Sequence, residues 1–433
     1  MATAPWRLAV GVGLLVVVNA ATRAAETEGT RAFTGARLFD GTGRTIDNAT
    51  LVVRSGRVVA VGAGVNVPAG VERVDLAGRF VMPGLVNAHG HVGATRGLRS
   101  GPELYSRQNV LDQLRLYARY GVTTVVSLGD DRDEGFRVRD EQETAARDRA
   151  RLYVAGPVVD ATTPEAARAQ VSALAVRKPD WVKIRVDDTL GTTAKMTPAV
   201  YRAVIDEAHK RGLRVAAHLF YLEDAQGLLA AGVDFIAHSV RDKPVDPAFV
   251  SALAKRGTCL CPTLMREVSA FAYADEPTFF ADPFFSKEAD PAVVAELRSP
   301  DRRERVRANS ASARYRAALK TASVNLKTLV DGGVPIAFGT DTGPPARFQG
   351  YFEHEELARM VEAGLTPAQA LVAATSGAAR CLGLESVGRL EPQAWADFLV
   401  LRADPVADIR NTRSLESVWI AGNRLSGSDA VPD

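Results

Sequence analysis

Positions 32–81 set short runs of β-branched and apolar residues between turn formers. Leu51-Val52-Val53, Val58-Val59-Ala60-Val61 and 71–76 are punctuated by Gly41-Thr42-Gly43, Ser55-Gly56 and Pro68-Ala69-Gly70. That texture predicts a small antiparallel sheet. It returns near the other terminus, in Ala396-Asp397-Phe398-Leu399-Val400-Leu401 and Ser417-Val418-Trp419-Ile420-Ala421-Gly422. Two β-rich ends around a long middle predict one composite β-sandwich, residues 26–82 with 384–433.

The middle has another rhythm. Apolar runs at 81–87, 123–128, 152–155, 181–186, 214–217, 234–237, 258–261 and 335–339 alternate with helically spaced segments such as 198–211, 222–231, 351–363 and 367–381. Such alternation predicts βαβ units and a parallel sheet. Eight units are the number that closes an α/β, TIM-like (β/α)8 barrel, expected over 83–383. The stretch 263–329 is too long for a plain strand-to-helix connection and carries Pro277, Pro283, Pro291 and Pro300. A cap-like insertion over the catalytic face is expected there.

With 433 residues, 46% hydrophobic and 24% charged, the chain can bury a large core and a second domain. Its net charge of +2 is spread without a basic block, which argues against a nucleic-acid partner. Arg7, an apolar run over 8–18 and the small-residue exit at 19–25 predict a secretory signal peptide at 1–25, with an uncleaved anchor as the alternative. Its removal deletes Arg7 and Arg23 and brings the net charge from +2 to 0. Export to the periplasm or medium follows, with no stable membrane association after cleavage. The three Cys leave at least one thiol unpaired unless chains cross-link. Cys259 and Cys261 are too close in sequence for a relaxed disulfide, and both read as small core residues.

Four of the six His fall at the C-terminal ends of predicted strands: His89 and His91 after the first, His218 after the fifth, His238 after the sixth. Barrel enzymes place their catalytic groups on that rim. In His89-Gly90-His91 the two imidazoles share one side of an extended chain, and Gly90 permits close backbone approach. Asp341, after the eighth run, adds a hard oxygen donor, and imidazole with carboxylate suits zinc or another divalent first-row ion. In Trp181-Val182-Lys183-Ile184-Arg185-Val186, alternation turns Lys183 into the barrel. A desolvated ammonium is disfavoured there, so the site calls for a neutral amine or for a carbamylated lysine able to bridge two ions about 3.5–4 Å apart. A lysine snorkelling to the rim is the alternative.

These residues resemble the amidohydrolase superfamily. Val81-Met82-Pro83-Gly84-Leu85-Val86-Asn87-Ala88-His89-Gly90-His91 is similar to its first-strand motif, and Trp181-Val182-Lys183-Ile184, Ala217-His218, Ile236-Ala237-His238 and Gly339-Thr340-Asp341 follow in the same order. Thr375-Ser376-Gly377-Ala378-Ala379-Arg380 and Gly388-Arg389-Leu390 extend the likeness over the mature chain, nearest to its imidazolonepropionase-like and Xaa-Pro dipeptidase-like branch. The resemblance implies two divalent ions, zinc being the expected metal. His89, His91 and Asp341 would hold the more buried ion, His218 and His238 the more exposed one, and N6-carboxylated Lys183 would bridge them. It also implies hydrolysis of an amide-type C–N bond in a dipeptide, N-acyl amino acid or cyclic amide, with Asp341 and His238 as the catalytic candidates and Asp341 moving the proton.

The rival readings differ at named positions. A mononuclear deaminase shares the HxH but carries Glu three residues past the fifth-strand His, where this chain has Tyr221. Lactone or phosphoester hydrolysis would use the same ion pair. A non-catalytic scaffold would be expected to lose ligands, and all six candidates are present. Tyr221, Arg185 and His354 are the candidate contacts to a small-molecule substrate. Arg185, inward and near Lys183, could bind a substrate carboxylate or pair with Asp187, and His354 has a structural role as its alternative. His209 reads as a solvated helix residue. Whether the chain is a homo-oligomer is not legible.

Overall fold

The structure, a computed structural model, describes residues 29–427, so the signal-peptide reading of 1–25 lies outside the described residues. The two β-rich ends meet in one hydrogen-bonded sheet. Strands Thr30–Phe39, Thr45–Arg54, Arg57–Ala63, Glu72–Asp75 and Phe80–Pro83 join Phe398–Leu401, Leu415–Ile420 and Asn423–Arg424. The seam between the termini is antiparallel, Val81 facing Val400 and Phe80 facing Leu401. Phe33, Leu51, Val81, Phe398 and Trp419 share one apolar cluster, in which Phe398 stacks on Trp419 at 5.7 Å.

The expected sandwich is thus bonded as a single sheet. Thr30–Phe39 pairs along one edge with Thr45–Arg54 and along the other first with Glu72–Asp75, then with Phe80–Pro83. The change of partner coincides with a register shift at Gly35, whose φ of 87° is a conformation glycine tolerates and other residues resist. Bulges of this kind bend a strand.

The middle of the chain is parallel. Leu85–Gly90 pairs with Val122–Ser127, which pairs with Arg151–Val154. Val182–Val186, Val215–Leu219, Phe235–Ile236 and Cys259–Leu260 form a second parallel run. Parallel bridges Val159 to Ile184, Leu260 to Ile336 and Gly90 to Thr342 connect the runs, so the pairing makes a circuit back to its first strand. The segment around Ile336 enters through bridges and the Ala88 N–H to Phe338 O bond of 2.8 Å, not through a full ladder. Alternation along Val182–Val186 places Val182, Ile184 and Val186 in the large core shared with the helices. Trp181 packs inside with Val86, Val126, Ala216, Phe235 and Cys261.

Three expectations change. The apolar run 81–87 is two strands: Phe80–Pro83 belongs to the terminal sheet and Leu85–Gly90 to the parallel circuit. The break falls at Gly84, where a Cβ would lie 2.1 Å from Thr123 Oγ1. The helix expected over 367–381 is Pro367–Val372, a π-helical turn Ala373–Gly377 and Ala378–Leu382. Cys259 is not a plain core residue: it is disulfide-bonded to Cys381, 122 residues away, which no local spacing reports, and Cys261 is the buried free thiol.

The insertion 263–329 is helical. Pro283, Pro291 and Pro300 stand at the first turns of helices capped by Asp282, Asp290 and Ser299, where a missing N–H costs nothing. The 21-residue helix Ala311–Asp331 lays Ala311, Tyr315 and Ala318 against Leu190 and Phe220, and Arg314 bonds the Leu190 carbonyl at 2.8 Å. It thereby packs against the loop after Val182–Val186.

Candidate metal centre

His89 ends the Leu85–Gly90 strand and His91 follows it. A Cβ at Gly90 would sit 2.8 Å from the Tyr117 hydroxyl oxygen, so only glycine lets this turn pack. Asp341 is brought across by its own backbone: its N–H donates to His89 O at 2.7 Å. It adopts φ 59°, a conformation costing a non-glycine residue about 1–3 kcal/mol that clusters at functional sites. One donor atom from each of His89, His91 and Asp341 lies within 4.8 Å of the others.

Hydrogen bonding settles which nitrogens face the centre. His89 Nδ1–H donates to Ala237 O at 2.8 Å and His91 Nδ1–H to Gly129 O at 3.3 Å, leaving each Nε2 lone pair inward. His91 Nε2 then meets Asp341 Oδ1 at 2.9 Å, two acceptors that need a proton or a cation with them. Burial would raise the Asp341 carboxyl, but Arg347 and the two His hold it well below the usual carboxylate range. Burial also drives the His89 imidazole well below its ordinary value.

His238 is fully buried. Its Nδ1 is 2.7 Å from Thr263 Oγ1, and its Nε2 has no hydrogen-bond partner among the described residues. Its ring lies 4.7 Å from that of His89 and 4.2 Å from that of His218. An unpartnered imidazole nitrogen in such a place is costly unless something binds it. His218 Nε2 bonds Asp187 Oδ2 at 2.6 Å. Burial pushes the His218 imidazole down to about 3 despite that bond, so a neutral ring donates to the carboxylate and keeps Nδ1 free. Lys183 is 4% exposed, with Nζ 3.2 Å from His89 Nε2. Burial lowers its ammonium to about 8. The donor set of imidazole nitrogens, a carboxylate and a desolvated amine fits divalent metal ions.

His89, His91, Lys183, His218 and Asp341 line one cavity of about 330 Å³, with Arg185, Arg266 and Arg347 around them. His238 lies buried beneath it. Two candidate substrate contacts are elsewhere. Tyr221 does not line the cavity: its hydroxyl donates to Asp188 Oδ1 at 2.9 Å, because Tyr221 opens the helix Leu222–Ala231 and packs under the insertion. His354 is buried away from it, with both ring nitrogens engaged by Thr412 Oγ1 and Tyr120 O at 2.9 and 2.8 Å, which is the structural alternative. Arg185 lines the cavity and bonds Thr189, not Asp187. His209 is exposed and bonded to Asp234 at 2.8 Å.

Sequence reasoning missed Asp187, Arg347 and a buried network behind the centre. Arg347 Nη1 holds Asp341 Oδ2 at 2.5 Å. Glu353 accepts from Asn87 at 2.6 Å, Thr340 at 2.8 Å and Thr342 at 2.7 Å, immobilising residues on both sides of Asp341. The polar Asn87 within the apolar run 81–87 and Asp187 directly after the run 181–186 were the available signal; Arg347 and Glu353 had none.

Residues 80–425 match the model of the amidohydrolase family. The chain is 29% identical to an uncharacterised Mycobacterium tuberculosis protein over 76% of this chain and 80% of that one. It is 26% identical to the imidazolonepropionase of Streptomyces avermitilis over 88% and 87% of the two chains. Among solved structures, a Bifidobacterium longum protein whose prolidase name is provisional superposes with TM-score 0.72 at 26% identity, covering 93% of this chain and 96% of that one. A Xaa-Pro dipeptidase superposes with TM-score 0.73 at 21% identity, covering 92% and 100%, a likeness of fold. Such neighbours imply a TIM-like barrel. The chain belongs to the amidohydrolase family and is a hydrolase acting on carbon–nitrogen bonds.

Proposed function

We propose that this protein is an exported hydrolase that cleaves an amide-type C–N bond in a dipeptide, N-acyl amino acid or cyclic amide, using two divalent ions, zinc by preference. The observation that carries the reading is the convergence of His89, His91 and Asp341 donors beside His238 Nε2, which has no hydrogen-bond partner among the described residues. His89, His91 and Asp341 would hold one ion, His218 and His238 the other. Bound divalent ions supply Lewis acidity that polarises a carbonyl and acidifies water.

The chain's own groups do the rest. Asp341 takes the proton of the attacking water on Oδ1 and returns it to the leaving nitrogen, while Arg347 pins Oδ2. Burial lowers Lys183 to about 8 and so raises the share of neutral amine that can add carbon dioxide, forming an Nζ–C bond and releasing one proton, so the position becomes a carboxylate. Export is supported by the Cys259–Cys381 disulfide, a bond that persists in oxidising compartments.

The test is metal content per chain, by elemental analysis, for wild type and Lys183→Ala purified without chelator, with a hydrolysis screen of dipeptides, N-acyl amino acids, lactams and lactones. Two equivalents falling to one or none, with amide turnover, is expected. One equivalent in both proteins, or turnover of lactones alone, sinks the reading.

A further inference from the structure

Arg185 sits on the same strand as Lys183, two residues on, and is exposed at the rim of the cavity. Among the described residues no carboxylate pairs with it: its one side-chain bond is Nη2 to Thr189 Oγ1 at 2.9 Å. That leaves most of a five-donor guanidinium unused. Thr189, its bonding partner, and the next residue, Leu190, hold φ of 53° and 60°, so the loop that follows this strand is held in a conformation that costs energy.

Arg266 also lines the cavity, from the helix Leu264–Ser269. Its carboxylate partner is shared: Glu267 Oε1 lies 3.0 Å from Arg266 Nη1 and 2.9 Å from Arg241 Nε. One carboxylate between two guanidinium groups leaves a positive excess. Arg347, the third arginine of the lining, is consumed by Asp341. Guanidinium forks match planar carboxylates in bidentate geometry and bind them by charge-assisted bonds.

We propose that Arg185, assisted by Arg266, is the specificity determinant that grips a free carboxylate on the substrate, so that the substrates are N-acyl amino acids or dipeptides with an ionised carboxylate next to the scissile nitrogen, and not neutral amides, carbamates or ureas. This rests on the hydrolase reading above. Arg185 contacts the substrate; it leaves the metal donors untouched.

The experiment pairs each member of an N-acyl-amino-acid panel with its uncharged carboxamide and measures kcat and KM for wild type, Arg185→Gln and Arg185→Lys as purified with metal. Calorimetric titration of both probe sets follows, as a readout independent of turnover. Wild type should prefer the acids, and Arg185→Gln should raise KM for acids by about 10- to 100-fold, the worth of one charge-assisted bond, and leave the carboxamides unchanged. Arg185→Lys should recover part of the loss. Equal use of acids and carboxamides, or a Gln variant that lowers both alike, overturns the proposal. If no probe is hydrolysed, the hydrolase reading fails by itself: acids that still bind in an Arg185-dependent way uphold the carboxylate site, and absence of such binding overturns it too.

Discussion

The two ends of the parallel circuit carry cavities of opposite character. The larger, about 840 Å³, is lined by Arg214, Thr258, Cys259 and Pro335 at the strand starts and holds no histidine. The smaller, about 330 Å³, holds four of the candidate metal ligands and Lys183. The candidate donors thus gather at the end with the smaller cavity. The strand-start end is stapled: Cys259 is bonded to Cys381, and Arg151, wholly buried, pairs with Asp397 at 2.7 Å while stacking over Trp395 at 4.0 Å. The strand-finish end keeps His238 Nε2 unpartnered and Asp341 in a strained conformation. One end stores stability and the other withholds it so that groups remain free to bind.

Substitutions should separate the two ends. Asp341→Asn should lower kcat by about 10²- to 10⁴-fold, the usual worth of a general acid–base group, with little change in Tm. A loss below tenfold would strip Asp341 of its role. At the other end, Arg151→Ala strands the Asp397 carboxylate, buried with 3% of its side chain exposed. That should cost about 3–5 kcal/mol in urea unfolding and leave KM unaltered. A large fall in kcat with unchanged unfolding would break the division of labour. Cys381→Ala should cost about 2–4 kcal/mol, seen as a lower Tm that reductant no longer shifts, with kcat preserved.

The smallest expected effect is on the pH profile. Burial pushes the His354 imidazole from 6.5 down to about 3, so between those values the unfolded chain binds a proton that the folded chain refuses. Stability from this group is complete above 6.5 and is lost as pH falls toward 3. Glu353, raised by burial to about 7, contributes in the opposite sense, so the difference between wild type and His354→Gln isolates the imidazole. The variant's Tm should fall less steeply than wild type from neutral pH toward pH 4. Parallel curves would mean that His354 stays exposed to protons in the folded chain.

Which residues gather at the candidate centre was largely legible in one dimension. His89, His91, Lys183, His218 and Asp341 could be nominated because catalytic rims follow strand ends and strand ends follow hydrophobic runs, both local properties of the text. The inward turn of Lys183 came from period-two alternation, and its burial agrees. Tyr221 and His354 lie outside the cavity lining for one reason: proximity in sequence to a site residue says nothing about direction once a helix begins, and Tyr221 caps one helix while His354 lies in another. The bonding of the two β-rich ends into one sheet, the split of 81–87 at Gly84 and the Cys259–Cys381 bond were equally out of reach. Each depends on a partner tens to hundreds of residues away.

The alternation of strand and helix, the β-rich character of both ends and the ordered donor set can be read along the chain, because periodicity and residue chemistry are carried by neighbours. The fold alone sets which nitrogen of each histidine faces the centre, that Arg347 occupies one oxygen of Asp341 and Asp187 the ring of His218, and that no carboxylate among the described residues pairs with Arg185. Those outcomes are set by which donor and acceptor meet across the circuit, and burial makes each such meeting decisive, since a buried polar group left unpaired costs more than any local preference can repay.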